Sequence, residues 1–185
     1  MSERVFPSDE TGFGGDHFAL FGLSPSFRID LRMLDERFRE LQTRVHPDYF
    51  VHAGESGRRV SLQWATRVNE AYQTLKNPLS RGRYLLDRAG QCLDEARNTA
   101  MSPEFLMEQM EWREAVAEAR QAREIDELEA LRLRVRERMN QGYERLAELL
   151  DDRRDYAAAA DCARRLMFLE RLLTEIDDGM AALEE

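Results

Sequence analysis

The stretch LRMLDERFRELQTRVHPD, residues 31–48, decides the architecture. Leu31, Leu34, Phe38, Leu41 and Val45 recur at steps of three and four, which lines one face of an amphipathic helix with apolar side chains. Asp30 stands where an N-cap is needed. Pro47 lacks a backbone N–H and disfavours helical backbone at His46, so the helix is predicted to end near Val45. Beyond the turn, Leu62, Ala65, Val68, Tyr72 and Leu75 predict a second helix that stops at Asn77, antiparallel to the first. Asn77 and Pro78 then suit the cap and first position of a third helix carrying Tyr84, Leu85 and Leu86. A short helical turn around Phe18, Leu20 and Phe21 precedes all of these. His46, Pro47 and Asp48 are thus expected at the tip of a helical hairpin, where a rigid proline holds an imidazole and a carboxylate out toward another molecule.

The rest of the chain is predicted to be helix as well. Ser102 and Pro103 form an N-cap and first-position pair opening a helix that runs to about residue 122. A longer helix follows through Leu128, Leu131, Val135, Met139, Leu146 and Leu149, with a weak interruption expected at Gly142. The last begins near Asp155 and carries Leu166, Leu169, Leu172, Leu173 and Ile176. Three amphipathic helices with short connections imply an antiparallel bundle. The fold class is all-α: an N-terminal hairpin domain over 16–90, a polar linker over 91–102 and a three-helix bundle over 103–185, with residues 1–15 expected to be a mobile tail.

Composition narrows the function. The 185 residues hold 27 Lys plus Arg against 36 Asp plus Glu, a formal charge of −9. That balance argues against a large nucleic-acid surface, which needs clustered positive charge. The charge is unevenly spread: residues 1–90 carry 13 basic and 12 acidic side chains, and 91–185 carry 14 and 24. No apolar run approaches the ~18 residues of a membrane span. The first 15 residues show neither an apolar signal core nor the Arg-rich, acid-poor character of a transit peptide, so a cytoplasmic location and a bacterial source are expected. Cys92 and Cys162 are isolated and there are three histidines, His17, His46 and His52. Neither a disulfide framework nor a zinc site is expected from them, and no cofactor is.

The motifs around residues 46–48 carry a resemblance. Residues 18–23 (FALFGL), an amphipathic helix, His46-Pro47-Asp48 and then residues 69–78 (NEAYQTLKNP) resemble a J-domain, the module that engages DnaK-type heat-shock chaperones and stimulates their ATPase. Residues 46–50 (HPDYF), 81–86 (RGRYLL) and 105–114 (FLMEQMEWRE) together resemble the HscB family, J-domain co-chaperones of iron–sulfur cluster assembly. The likeness spans roughly residues 16–183. It implies two partners, the specialised DnaK-type chaperone HscA and the scaffold protein IscU on which clusters are built. It also implies that His46, Pro47 and Asp48 favour ATP hydrolysis in the chaperone. Tyr49 departs from the family, standing where a basic residue is common.

Two candidate surfaces follow. On the hairpin, Arg32, Arg37, Arg39 and Arg44 punctuate the helix before the tripeptide, a local positive surface able to steer an acidic partner. Charge alone equally describes a solvated helix face balanced by Asp35, Glu36 and Glu40. With the adjacent tripeptide, Arg37, Arg39 and Arg44 join it as the expected chaperone-binding set. On the bundle, helical phase at about 100° per residue puts Phe105, Trp112, Val116 and Ala119 on the core side. Leu106, Met107 and Met110 then fall elsewhere with Glu111 and Glu114, and Phe168 is displaced by about 100° from its helix's leucine stripe. Phase alone also admits a broader core in which Leu106 and Phe168 are buried. The family likeness assigns Leu106, Met107, Met110, Glu111, Glu114 and Phe168 to scaffold binding, with Met110 replacing a common leucine and Trp112 a smaller apolar residue.

Three function classes compete. A non-enzymatic adaptor joining chaperone and scaffold uses both surfaces. A generic J-domain co-chaperone with another client uses only the hairpin. His46 and Asp48 are also proton-transfer groups, but no nucleophile, metal-ligand set or phosphate loop accompanies them, and an enzyme is not expected.

Overall fold

A computed structural model describes residues 15–45, 54–91, 93 and 102–184. His46, Pro47, Asp48, Tyr49, His52 and Cys92 lie outside the described residues, as do 1–14 of the expected tail and most of the expected linker. The elements are α1 (His17–Leu20), α2 (Leu31–Val45), α3 (Gly54–Lys76), α4 (Pro78–Arg88), α5 (Pro103–Ala122), α6 (Ile125–Ala147), a π-helical segment (Glu148–Arg153) and α7 (Tyr156–Glu184). Among the described residues every regular element is helical, and the fold is all-α. The chain divides into two compact units, 1–84 and 85–185. Gly90, at a φ of +77°, ends α4 in the left-handed conformation open to glycine, with Gln91 N donating to the Leu86 carbonyl at 2.9 Å.

In the first unit the caps form as the sequence suggests. Asp30 Oδ1 accepts from Arg32 N at 2.9 Å and Met33 N at 3.2 Å, opening α2. Asn77 Oδ1 accepts from Ser80 N at 2.8 Å, opening α4. The core gathers Phe18, Phe21, Phe27, Leu34, Val45, Trp64, Val68, Ala71, Tyr72, Leu75 and Leu79. The ends of the two expected apolar series behave differently. Leu31 and Leu62 are exposed, while Ser61 and Trp64 are buried. The phase of α3 explains it: Leu62 lies about 120° from Val68, whereas Ser61 and Trp64 lie within about 40° of it.

In the second unit α5, α6 and α7 pack pairwise as a bundle. Ser102 Oγ caps α5 by accepting from Phe105 N at 3.3 Å, and Asp155 Oδ1 caps α7 by accepting from Ala158 N at 3.0 Å. Leu128, Leu131, Val135, Met139 and Leu146 form the buried stripe of α6 against Ala159, Ala163, Leu166, Leu169, Leu172 and Ile176 of α7. Gly142 does not interrupt α6. It lies in the stripe, where a Cβ would come 2.7 Å from Leu166 Cδ2, so the missing side chain serves close packing. The π-helical segment inserts an extra residue into the helical repeat, and both Leu149 and Leu150 are buried there.

Candidate functional site

The described parts of the hairpin show how α2 and α3 are held on either side of residues 46–53. Val45 is the last residue of α2, and the last carbonyls of a helix need partners from outside it. Ser61 fills that need: its buried hydroxyl donates to Val45 O at 2.6 Å. Further from the tip, the Phe38 and Tyr72 rings stack with centroids 3.8 Å apart and 10° between planes. Tyr72 Oη donates to Asp35 Oδ1 at 2.8 Å, and Lys76 Nζ donates to Tyr72 Oη at 2.5 Å while standing 3.5 Å from the same carboxylate. The Tyr72 hydroxyl, followed by the Lys76 charge, holds the Asp35 carboxyl below its ordinary value. Lys76 is raised, first by its bond to Tyr72 and then by Asp35.

The arginines of α2 do not form one patch. Taken from the core direction of Leu34, Arg37 and Arg44 lie at about −60° to −80° and share a stripe, while Arg32 and Arg39 point nearly opposite the core, at about 140° to 160°. Arg37 Nη1 pairs with Glu40 at 3.2 Å, both exposed, and Arg39 Nε donates to the Asp35 carbonyl at 3.2 Å. Arg44 lies exposed in the last turn, one residue before Val45.

On the bundle, Phe105, Val116 and Ala119 are buried, and Trp112 is half-buried with the Arg134 guanidinium 4.9 Å from its ring centre. Leu106, Met107 and Met110 stand 47%, 62% and 71% exposed along α5. Glu111 and Glu114 flank them on the surface. Phe168 departs from the expectation of an off-core residue: it is 8% exposed. Its ring meets Phe105 edge-on at 5.9 Å, and the Arg113 guanidinium lies 5.7 Å over its face. The packing of α5 on α7 brings both rings together, which the phase of α7 taken alone does not reveal. Leu106, Met107 and Met110 therefore form the exposed apolar set, and Phe168 lies beneath a cationic cover.

Sequence reasoning did not single out Ser61 or Arg113. A serine in phase with an apolar stripe was the available signal for the first; nothing in the sequence marks the second. Among the described residues no group of three or more His, Cys, Asp or Glu side chains is placed to hold a metal, and no helix is long and apolar enough to cross a membrane. Cys162 is half-buried, and its Sγ donates to the Gly142 carbonyl at 3.4 Å.

Comparison with known proteins bears on most of the chain. Residues 101–177 match the family model described as the HSCB C-terminal oligomerisation domain. The co-chaperone protein HscB homolog of Azoarcus sp. (strain BH72) is 56% identical over 169 residues, covering 91% of this chain and 96% of that protein. The chain belongs to the HscB co-chaperone family. Solved HscB structures agree in fold. Chaperone HscB from Vibrio cholerae is 37% identical, with a TM-score of 0.78 over 91% of this chain and 99% of its own. Human co-chaperone protein HscB is 28% identical, with a TM-score of 0.84 over 96% and 90%. A J-type co-chaperone role in iron–sulfur cluster assembly fits HscB membership.

Proposed function

We propose that this chain is a cytoplasmic, non-enzymatic adaptor that stimulates the ATPase of the DnaK-type chaperone HscA and delivers the scaffold IscU to it. The observation that carries the scaffold half is the row Leu106, Met107 and Met110, exposed on α5 of a bundle whose other large apolar side chains are mostly inside. Large exposed apolar side chains grouped on one helix face mark a binding surface, and methionine supplies adaptable contacts. Glu111 and Glu114 edge the row and select for basic groups on the partner. Phe168 supports it from below, through Phe105 and Arg113, and becomes a direct contact where the Arg113 cover moves aside.

The chaperone half rests on His46, Pro47 and Asp48, with Arg37, Arg39 and Arg44 on α2. The Arg37–Arg44 stripe flanks the hairpin core and steers an acidic partner toward the tip. Arg39, tied to the Asp35 carbonyl, adds field rather than a free donor. The two modules, a J-domain over 16–90 and a scaffold-binding bundle over 103–185 joined through 91–102, act in one chain. Tethering raises the effective concentration of scaffold near the chaperone without any new contact.

The deciding experiment is a single-turnover HscA ATPase assay with and without IscU. Stimulation by this chain that rises further when the scaffold is added supports the adaptor. Stimulation without that synergy makes it a J-domain co-chaperone of another client. His46→Gln is expected to abolish stimulation while leaving helicity and scaffold binding intact, and equal stimulation by the variant would sink the hairpin mechanism.

A further inference from the structure

The three helices of the bundle leave a half-open cavity of about 180 Å³ where α5, α6 and α7 meet. Its apolar wall is built from Phe105, Leu166, Phe168 and Leu169. The edge-on contact of Phe105 with Phe168 sets one side, and the bare backbone of Gly142, bonded through its carbonyl to Cys162 Sγ, sets the other. An apolar cavity of about 150 Å³ stays dry and admits benzene. This one has room for a body of about six to eight carbons.

The mouth is cationic. Arg138 and Arg145, seven residues apart on one face of α6, and Arg165 of α7 line it together with a single carboxylate, Glu108. Glu108 is shared between two guanidiniums at long range, 3.4 Å from Arg138 Nη2 and 3.5 Å from Arg165 Nη1. Both distances exceed the ~2.7–2.9 Å of a well-made charge-assisted bond. Arg145 pairs at 2.6 Å with Glu148, which lies outside the lining. Arg138 and Arg165 share the one carboxylate of the mouth while Arg145 has its own partner in Glu148, which leaves a local positive excess in the more acidic half of the chain. Burial raises the Cys162 thiol, with Arg145 and Arg165 pulling the other way, so both guanidiniums are felt at the wall.

We infer that this cavity binds a small monoanion with an apolar body, of the class of a medium-chain or aromatic carboxylic acid. The body lies against Phe105, Phe168 and Leu169, and the carboxylate takes guanidinium donors from Arg138 and Arg165 that Glu108 only loosely occupies, with Arg145, already paired with Glu148, adding its remaining donors. A neutral molecule of the same shape fills the cavity without satisfying the mouth. An acid is therefore preferred over its alcohol, by roughly tenfold for one net charge-assisted bond.

Cys162 supplies a reporter in the intact protein. The rate of its alkylation by iodoacetamide at an alkaline pH above the ordinary thiol range, chosen because burial raises this thiol and the thiolate is the reactive form, is followed on its own peptide by mass spectrometry, with Cys92 as the internal reference. Octanoate and phenylacetate are the probes, distinguishing an acyl from an aromatic source, and 1-octanol is the neutral comparator. Saturating acid is expected to slow Cys162 about tenfold while Cys92 is unchanged, with octanol needing about tenfold more ligand for the same protection. Arg138→Gln with Arg145→Gln is expected to weaken octanoate about tenfold and leave octanol unaffected. Both arginines are exposed and such pairs add little to stability, so helicity should persist; should it not, the octanoate–octanol comparison in the unaltered protein decides. Failure of both acids to protect, or equal protection by octanol, overturns the assignment.

Discussion

The N-terminal unit secures its helices with rings and side-chain hydrogen bonds, the C-terminal unit with a stripe of aliphatic side chains. In the first, Ser61 ties off Val45, Tyr72 bridges Asp35 and Lys76, and Arg81 Nη1 donates to the Leu75 carbonyl at 2.5 Å. Tyr84 Oη likewise accepts from His17 N at 3.0 Å and donates to Asp16 Oδ1 at 3.2 Å. In the second, Leu131, Val135, Leu166 and Leu172 are fully buried or nearly so, and the ion pairs lie at the surface. The difference suits the proposed function. If the residues between α2 and α3 engage a chaperone, those helix ends need to be fixed in register, which directional bonds do. If the outer face of α5 takes a scaffold, the bundle needs a core that holds without using that face.

Breaking the core side of that comparison has the largest effect. Phe168→Ala removes the partner of Phe105 and should destabilise the bundle by about 3–5 kcal/mol, read as a lower denaturant midpoint. A loss below about 1 kcal/mol would mean that the ring is not a core element. The surface side comes next. Leu106→Ala, Met107→Ala and Met110→Ala together should weaken IscU binding by more than about 2 kcal/mol if they form a hot spot, with the melting curve unchanged. Calorimetric titration separates the two cases, because Phe168 is left in place.

Ser61→Ala tests the directional bonds. It leaves the Val45 carbonyl buried without its donor and should cost about 1–3 kcal/mol, seen as loss of stability in the N-terminal unit. An unchanged midpoint would show that the serine merely fills space. The smallest effect concerns pH. The Asp35 carboxyl is held below its ordinary value of 3.8, so its contribution is present above that value and lost as pH falls through the folded-state value. Lys76 is raised above its ordinary 10.5, so its contribution is full below that value and lost as pH rises through the folded one. Tyr72→Phe should return both toward ordinary behaviour, with the Asp35 titration moving up and the Lys76 titration moving down in an NMR pH series. Unmoved titrations would assign the shifts to other groups.

Much of this was legible from residue order because it depends on local rules. The spacing of Leu34, Phe38, Leu41 and Val45 and the proline after them set α2 and its end; Ser102 with Pro103 set the start of α5. The exposed set Leu106, Met107 and Met110 followed from phase within one helix. The misses have two sources, the phase of a helix over its full length and the helix packed against it. Leu62 looks apolar in series, yet Ser61 is the residue that faces α2. Gly142 looks like a break and is a point of contact with Leu166. Arg32, Arg37, Arg39 and Arg44 look like one basic run and split into two stripes.

The amino-acid sequence by itself determined the all-α class, the end of α2, the starts of α4 and α5 and the acidic character of residues 91–185, since periodicity, caps and charge act within a few residues of one another. Only the tertiary structure decided that Phe168 lies beneath Arg113 and against Phe105, that Ser61 closes α2, and that three arginines from two helices face one cavity. Those outcomes depend on which helix faces meet and at what distance, and no single helix carries that information in its own spacing.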